Sequence, residues 1–140
     1  MTKISSMNPT PSERGAVDPR RGEVWIVDFD PSLGSEQRKR RPAVVLSVSF
    51  VGRLPLRIVV PITSTRRADA MWLVPIKATA ANGLTKDSSA DAFQVKSLDV
   101  ERFVRRIGVL TADEMEDVVA AVAVCIGFTP GPRGGAARVQ

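Results

Sequence analysis

Apolar residues recur along this chain in short alternating runs broken by proline, glycine and asparagine, the pattern of a small β protein. Residues 21–29 predict a first strand, with Val24 and Ile26 facing one side and Trp25, Val27 and Phe29 the other. The segment Asp30-Pro31-Ser32-Leu33-Gly34 is a turn signal that ends it. Residues 42–48 predict a second strand with Pro42 at its tolerated first position, and residues 57–62 a third with Pro61 near its end. Further strands are expected over 71–76, 92–97 and 106–110, with a turn at Asn82-Gly83 and a short helix within 98–103.

A different period begins at Thr111. Thr111-Ala112-Asp113-Glu114 is a capping box, in which hydroxyl and carboxylate satisfy each other's exposed backbone donors. Asp113 and Glu114 also complement the positive end of the helix dipole. Met115, Val118, Val119, Val122 and Ile126 follow at helical spacing, and Gly127 suits the C-terminal end. Five or six short strands closed by one terminal helix predict a small, strongly curved β-barrel. There are no internal repeats.

The chain has 140 residues, enough for one domain with a modest core. The predicted organisation is a flexible extension over 1–19, a globular domain over 20–128 and a flexible Pro/Gly-rich tail over 129–140. Residues 1–19 contain no apolar run like that of a secretory leader, and no apolar run reaches bilayer-spanning length, so no membrane association is expected. The single cysteine, Cys125, cannot form an intrachain disulfide; it fits a reducing, cytoplasmic compartment and a place in the core.

The chain contains no histidine. Histidine-based triads and histidine-containing zinc sites are therefore excluded, and no metal or other cofactor is expected. The net charge of +5 is unevenly spread: from Arg38 to Arg67 there are eight basic residues and no acidic one. That stretch is a candidate phosphate-binding surface, while the acids gather at the predicted helix start.

The chemistry concentrates in Gly34-Ser35-Glu36-Gln37-Arg38-Lys39-Arg40-Arg41-Pro42 and Pro61-Ile62-Thr63-Ser64. RNA cleavage by an adjacent 2′-hydroxyl needs a proton acceptor, charge stabilisation at phosphoryl oxygens and a donor for the leaving oxygen. Arg41 offers several fixed N–H donors to two oxygens at once. Thr63 can donate to a phosphoryl oxygen, and Glu36, among cations, can accept a proton or orient the hydroxyl. Blander readings stand beside these. Thr63-Ser64 also fits a strand-end turn, Glu36 a neutraliser of its neighbours, and Arg40 and Arg41 generic surface cations. As residue types alone, the set favours a nucleic-acid binder over an enzyme.

In order along the chain, Arg21-Gly-Glu-Val-Trp-x-Val-Asp-x-Asp-Pro, Gly-Ser-Glu-Gln, Arg-Pro-Ala-Val-Val-Leu and Pro-Ile-Thr-Ser resemble the motifs of the MazF/PemK toxins over about residues 20–128. The resemblance implies a mainly β fold with an α-helix, an SH3-like small barrel of the CcdB/MazF type with a C-terminal helix. It implies a homodimeric, metal-independent endoribonuclease that cuts single-stranded RNA at specific sequences and is restrained by a cognate antitoxin. An acidic, partly disordered antitoxin segment is expected to fold across the basic groove. Arg41 and Thr63 match the family's catalytic pair, and Glu36 a carboxylate important in some members. Ser35, Gln37, Arg38, Lys39, Arg40 and Ser64 fall on the substrate side of these motifs. Asp87, Ser88 and Gln94 match a second RNA-contacting segment, which departs from the family: many members have an acidic residue where Phe93 stands, and apolar residues at Ser89 and Ala90. The alternatives are a gyrase poison on the same fold and a catalytically silent RNA-binding barrel.

Aromatic platforms are the usual device for reading unpaired RNA. The chain has no tyrosine, and Trp25 fits a core or dimer contact better than a stacking surface, while Trp72 has no assignment. Readout is expected to use hydrogen bonds and arginine planes.

Overall fold

Val24, Val27, Val44, Val45, Val59 and Val60 are all fully buried, which dates the architecture to three adjacent strands whose side chains fill both faces of one sheet. The computed structural model describes residues 17–29, 40–48, 54–67 and 69–128. The expected turn over 30–34, the tail over 129–140 and most of the N-terminal extension lie outside them. Seven strands are seen: β1 (Glu23–Asp28), β2 (Arg40–Val45), β3 (Leu56–Thr63), β4 (Leu73–Ile76), β5 (Ser88–Asp91), β6 (Lys96–Asp99) and β7 (Phe103–Val109). One helix, α1 (Ala112–Cys125), follows. The strands run in the order β4-β5-β3-β2-β1-β7, with β6 also on β3, and every pair is antiparallel.

The centre is β3. On one edge it pairs with β2; on the other it pairs first with β6, over Leu56–Val59, and then with β5, at Ile62 and Thr63. Changing partners along one edge bends the sheet. Pro61 lies in the interval between the two partners, where a missing N–H breaks no ladder bond on that edge. The curve closes at the β4–β5 connection. There Val109 N donates to Ala81 O at 2.9 Å, and Gly83, at φ +73°, lies so close to Ile107 that any Cβ would overlap its carbonyl. Asn82, 1 % exposed, holds this turn: its Oδ1 accepts from Thr79 N and Leu84 N, and its Nδ2 donates to Lys77 O.

Two cores result. Val24, Val44, Val60, Ile62, Val74 and Ile76 pack with Met115 and Val118 of α1, and Val27, Ala43, Val45 and Val59 pack around Phe103 on the other face. Trp25 joins the second as expected, edge-on to Phe103 at 5.7 Å, a contact worth about 0.5–1.5 kcal/mol beyond its burial. Arg57, 8 % exposed, fastens the N-terminal segment: it donates to Pro19 O, Leu54 O and Leu56 O and pairs with Asp18 at 2.9 Å.

Several sequence expectations are amended: seven strands are found among the described residues where five or six were expected, Ser88–Asp91 being the unexpected one, and Cys125 is half-buried and not in the core. Of the strand expected over 92–97 only its last two residues are strand, because Asp91 accepts from Phe93 N and turns the chain into a 3-10 turn at Ala92–Gln94. The short helix expected within 98–103 shrinks to a 3-10 turn at Val100–Arg102 capped by Asp99. The second strand starts at Arg40, so Pro42 is its third residue; its β3 ladder begins only at Ala43, so no bond to β3 is lost. The capping box forms as expected, with Thr111 as N-cap, but Ile126 falls past the last helical residue and is 71 % exposed.

Candidate active site

Arg41 and Thr63 are brought together near the end of a strand ladder. The β2–β3 ladder ends at the Ala43–Pro61 pair; Arg41 and Thr63 each lie two residues beyond it, and both line the same two cavities. Both positions lie where a strand meets the sheet's end, which frees their side chains from the ladder's interior. Thr63 Oγ1 accepts from Thr65 N at 3.2 Å, so the strand-end turn does form. A hydroxyl has one proton and two lone pairs, so accepting this bond leaves its O–H to donate elsewhere. The turn and the chemistry are compatible.

Beside this pair opens a cavity of about 480 Å³. Part of its wall is a cross-strand row: Arg105 on β7 faces Ile26 on β1, which faces Pro42 on β2. Thr63, Ser64, Leu84, Lys86 and Ser88 complete much of the rest. Four cations, Arg40, Arg41, Lys86 and Arg105, border it, and its described lining holds no carboxylate. Such a concave positive wall attracts a polyanion and concentrates its field on whatever phosphate enters. Arg40 is 3.9 Å from Asp28, an exposed contact worth little. Among the described residues no hydrogen bond or ion pair to the Arg41 side chain is formed.

Two smaller cavities also border Arg41. One, about 200 Å³, is lined by Arg41, Pro61, Thr63, Thr65, Arg67, Trp72, Leu73, Asp91 and Gln94. The other, about 150 Å³, is lined by Phe29, Arg41, Pro61, Gln94 and Lys96. Arg41 thus borders all three spaces and Thr63 two of them.

The remaining candidates divide. Ser35, Glu36, Gln37, Arg38 and Lys39 lie outside the described residues. Ser64 and Ser88 line the large cavity, the latter donating to Lys86 O at 2.9 Å. Gln94 borders both small ones, with its amide donating to Asp91 Oδ2 at 3.0 Å. Asp87 borders none of the three. Its carboxylate accepts from Ala78 N at 2.8 Å and pairs with Arg66 at 3.5 Å. The backbone hydrogen bond from Ala78 N lowers its pKa most; desolvation opposes it, and the Lys77 and Arg66 charges add to the lowering.

Lys86, Arg105 and Trp72 were not anticipated as lining residues, whereas Arg67 closes the basic stretch that begins at Arg38. Arg105 arrives through the β1–β7 pairing and Lys86 on the β4–β5 connection. The exposed charge of Arg105 within a strand was the one local hint.

Residues 20–126 match the family model described as PemK-like, MazF-like toxin of type II toxin–antitoxin system. An endoribonuclease MazF9 from Mycobacterium tuberculosis is 38% identical over 109 residues, covering 74% of this chain and 92% of that protein. The endoribonuclease toxin MazF of Escherichia coli K12 is 33% identical over 111 residues, covering 78% and 95%. A MazE–MazF crystal structure from Deinococcus radiodurans aligns with TM-score 0.66 and 28% identity over 80% of this chain and 98% of that one. With four ordered motifs, the matching barrel and relatives covered almost end to end, this chain belongs to the PemK-like, MazF-like toxins of type II toxin–antitoxin systems.

Proposed function

We propose that this toxin is a sequence-specific endoribonuclease of single-stranded RNA, with Arg41 and Thr63 as its catalytic pair. The observation that supports this reading is that both line the same large cavity, which three further cations border. In the reaction, a 2′-oxygen forms a bond to the adjacent phosphorus as the bond to the 5′-oxygen breaks. The products are a 2′,3′-cyclic phosphate and a 5′-hydroxyl. Arg41 holds two phosphoryl oxygens and offsets the charge that builds on them; Thr63 donates to one of them. Glu36 takes the 2′-proton, and a proton from solvent or a neighbouring acid completes the leaving 5′-hydroxyl. No step requires a metal ion.

Arg40, Ser64, Ser88 and Gln94 then position the strand, with Ser35, Gln37, Arg38 and Lys39 acting from the loop before β2. Asp87 acts indirectly, by fixing the segment that carries Ser88. The catalytic unit is residues 20–128, working in the cytoplasm as a homodimer. Leu56 and Ile58, exposed on one face of β3, supply apolar surface for the second copy. A cognate antitoxin covers the groove with an acidic segment, since the field that draws RNA draws carboxylates equally. Among the described residues no helix is long and apolar enough to cross a membrane.

The test is cleavage of a labelled single-stranded RNA by purified protein in EDTA. The expected result is discrete fragments ending in cyclic phosphate, with Arg41→Ala slower by at least about 100-fold. An absolute need for added Mg²⁺, full activity in Arg41→Ala, or gyrase-dependent DNA cleavage without RNA fragments would each overturn the assignment.

A further inference from the structure

Trp72 and Phe93 meet beside the catalytic pair, with ring centroids 6.5 Å apart and planes tilted by 55°. Trp72 is half-buried and lines the 200 Å³ cavity together with Arg41 and Thr63. Phe93 is 67 % exposed and lines none of the three cavities itself; its contact with Trp72 is what joins it to the 200 Å³ one. The surrounding backbone holds both in place. Ala92 N donates to Trp72 O at 2.8 Å, joining the end of β5 to the start of β4. Asp91 then uses one carboxylate oxygen to cap the turn that projects Phe93 and the other to hold the Gln94 amide.

We infer that Trp72 and Phe93 form a stacking subsite for one nucleobase flanking the scissile phosphate, which makes them specificity-determining residues of this toxin. The inference rests on the endoribonuclease reading above. A phosphate held between Arg41 and Thr63 carries one nucleoside on each side. The large cationic cavity and the aromatic-lined one share Arg41 and Thr63 as wall, so a phosphate at that pair has a space for a base in each. The aromatic cavity is smaller than the roughly 300–1,000 Å³ of ordinary small-molecule sites and suits a single base. Aromatic faces accept any base; edge contacts select among them. The amide of Gln94, fixed by Asp91, retains a free carbonyl oxygen and a second N–H, and Arg67 adds donors on the opposite wall. Stacking supplies the affinity and these groups the choice. This modifies the expectation that readout here would proceed without aromatic rings.

The experiment sequences the 5′ ends of fragments produced from a randomised RNA pool by the wild-type chain, Phe93→Ala and Phe93→Tyr. Wild type is expected to show a base preference at a position adjacent to the cut. Phe93→Ala should flatten that preference and lower kcat/KM on the preferred oligonucleotide about 10- to 100-fold, the range that one stacked base supplies. Phe93→Tyr should restore both. Because Phe93 is exposed, its removal should leave the melting temperature unchanged. An oligonucleotide made abasic at the selected position should lose a similar factor with wild type and nothing further with Phe93→Ala. Wild-type cutting with an unaltered Phe93→Ala profile, within twofold in rate, would remove the subsite alone. Failure of the wild type to cut any RNA would remove the endoribonuclease reading and the subsite with it.

Discussion

Replacing Thr63 by valine keeps the side chain's shape and removes only its hydroxyl, so the two roles of that hydroxyl separate by size. Its structural role is one hydrogen bond of 3.2 Å from Thr65 N, a group exposed to solvent. Water replaces such a bond, and the loss is about 0.5 kcal/mol or less. Its proposed catalytic role is a donor aimed at a phosphoryl oxygen that gains charge in the transition state. Removing one such donor costs about 2.7–4 kcal/mol, or roughly 100- to 1,000-fold in kcat. Thr63→Val should therefore lose two to three orders of magnitude in single-turnover cleavage while its denaturation midpoint hardly moves. Thr63→Ser retains the donor and should stay within about tenfold of wild type. The measurement is cleavage of a saturating labelled oligonucleotide in EDTA, paired with a urea denaturation curve for each variant. A Thr63→Val chain cutting within tenfold of wild type would refute the donor role. A stability loss comparable to the activity loss would assign the residue to the turn instead.

Two further predictions concern the scaffold. Arg57→Met leaves the carbonyls of Pro19, Leu54 and Leu56 without their donor, and should cost about 2–4 kcal/mol by urea denaturation; Asp18→Asn, with its carboxylate half-exposed, should cost under about 1. Equal losses in the two variants would show that the ion pair, not the carbonyl contacts, does the fastening. For Asp87, the folded-state pKa is lowered, so its contribution is complete above the ordinary value of 3.8 and is lost as pH falls through the lowered one. The stability gap between wild type and Asp87→Ala should be constant near neutrality and narrow below about pH 3.8; a gap that widens on acidification would contradict the hydrogen bond from Ala78 N.

How much of this was legible in the sequence depends on the range of the interaction concerned. The capping box at Thr111 and Glu114 is local, and it formed where the spacing put it. The faces of β1 were legible for the same reason: Val24 joins one core while Trp25 and Val27 join the other. The break at Asp91 was hidden, because Ala92-Phe93-Gln94-Val95 alternates like a strand and only the carboxylate's bonds to Phe93 N and the Gln94 amide reveal a turn. Ile126 continued the helical period past the point where the helix stops. In the site, Arg41 and Thr63 could be singled out because they fall in the Arg-Pro-Ala-Val-Val-Leu and Pro-Ile-Thr-Ser motifs that resemble those of the MazF/PemK toxins. Arg105 and Lys86 could not, since their approach depends on contacts between the two outermost parts of the sheet.

The same division of range explains how the site is arranged. Arg41 and Thr63 lie two residues beyond the end of the β2–β3 ladder, and slipping that register by one residue would turn every valine of both strands to the wrong face. Core packing therefore constrains the strands that carry the proposed pair. The groups around it sit on turns instead: Lys86 after the Asn82 turn, Phe93 and Gln94 on the turn capped by Asp91. A substitution on a turn costs little core energy, so these positions can change without moving the pair. Phe93, exposed and carried on a turn, can be exchanged without touching the core, whereas Thr63 closes β3 and pairs with Ser89 of β5.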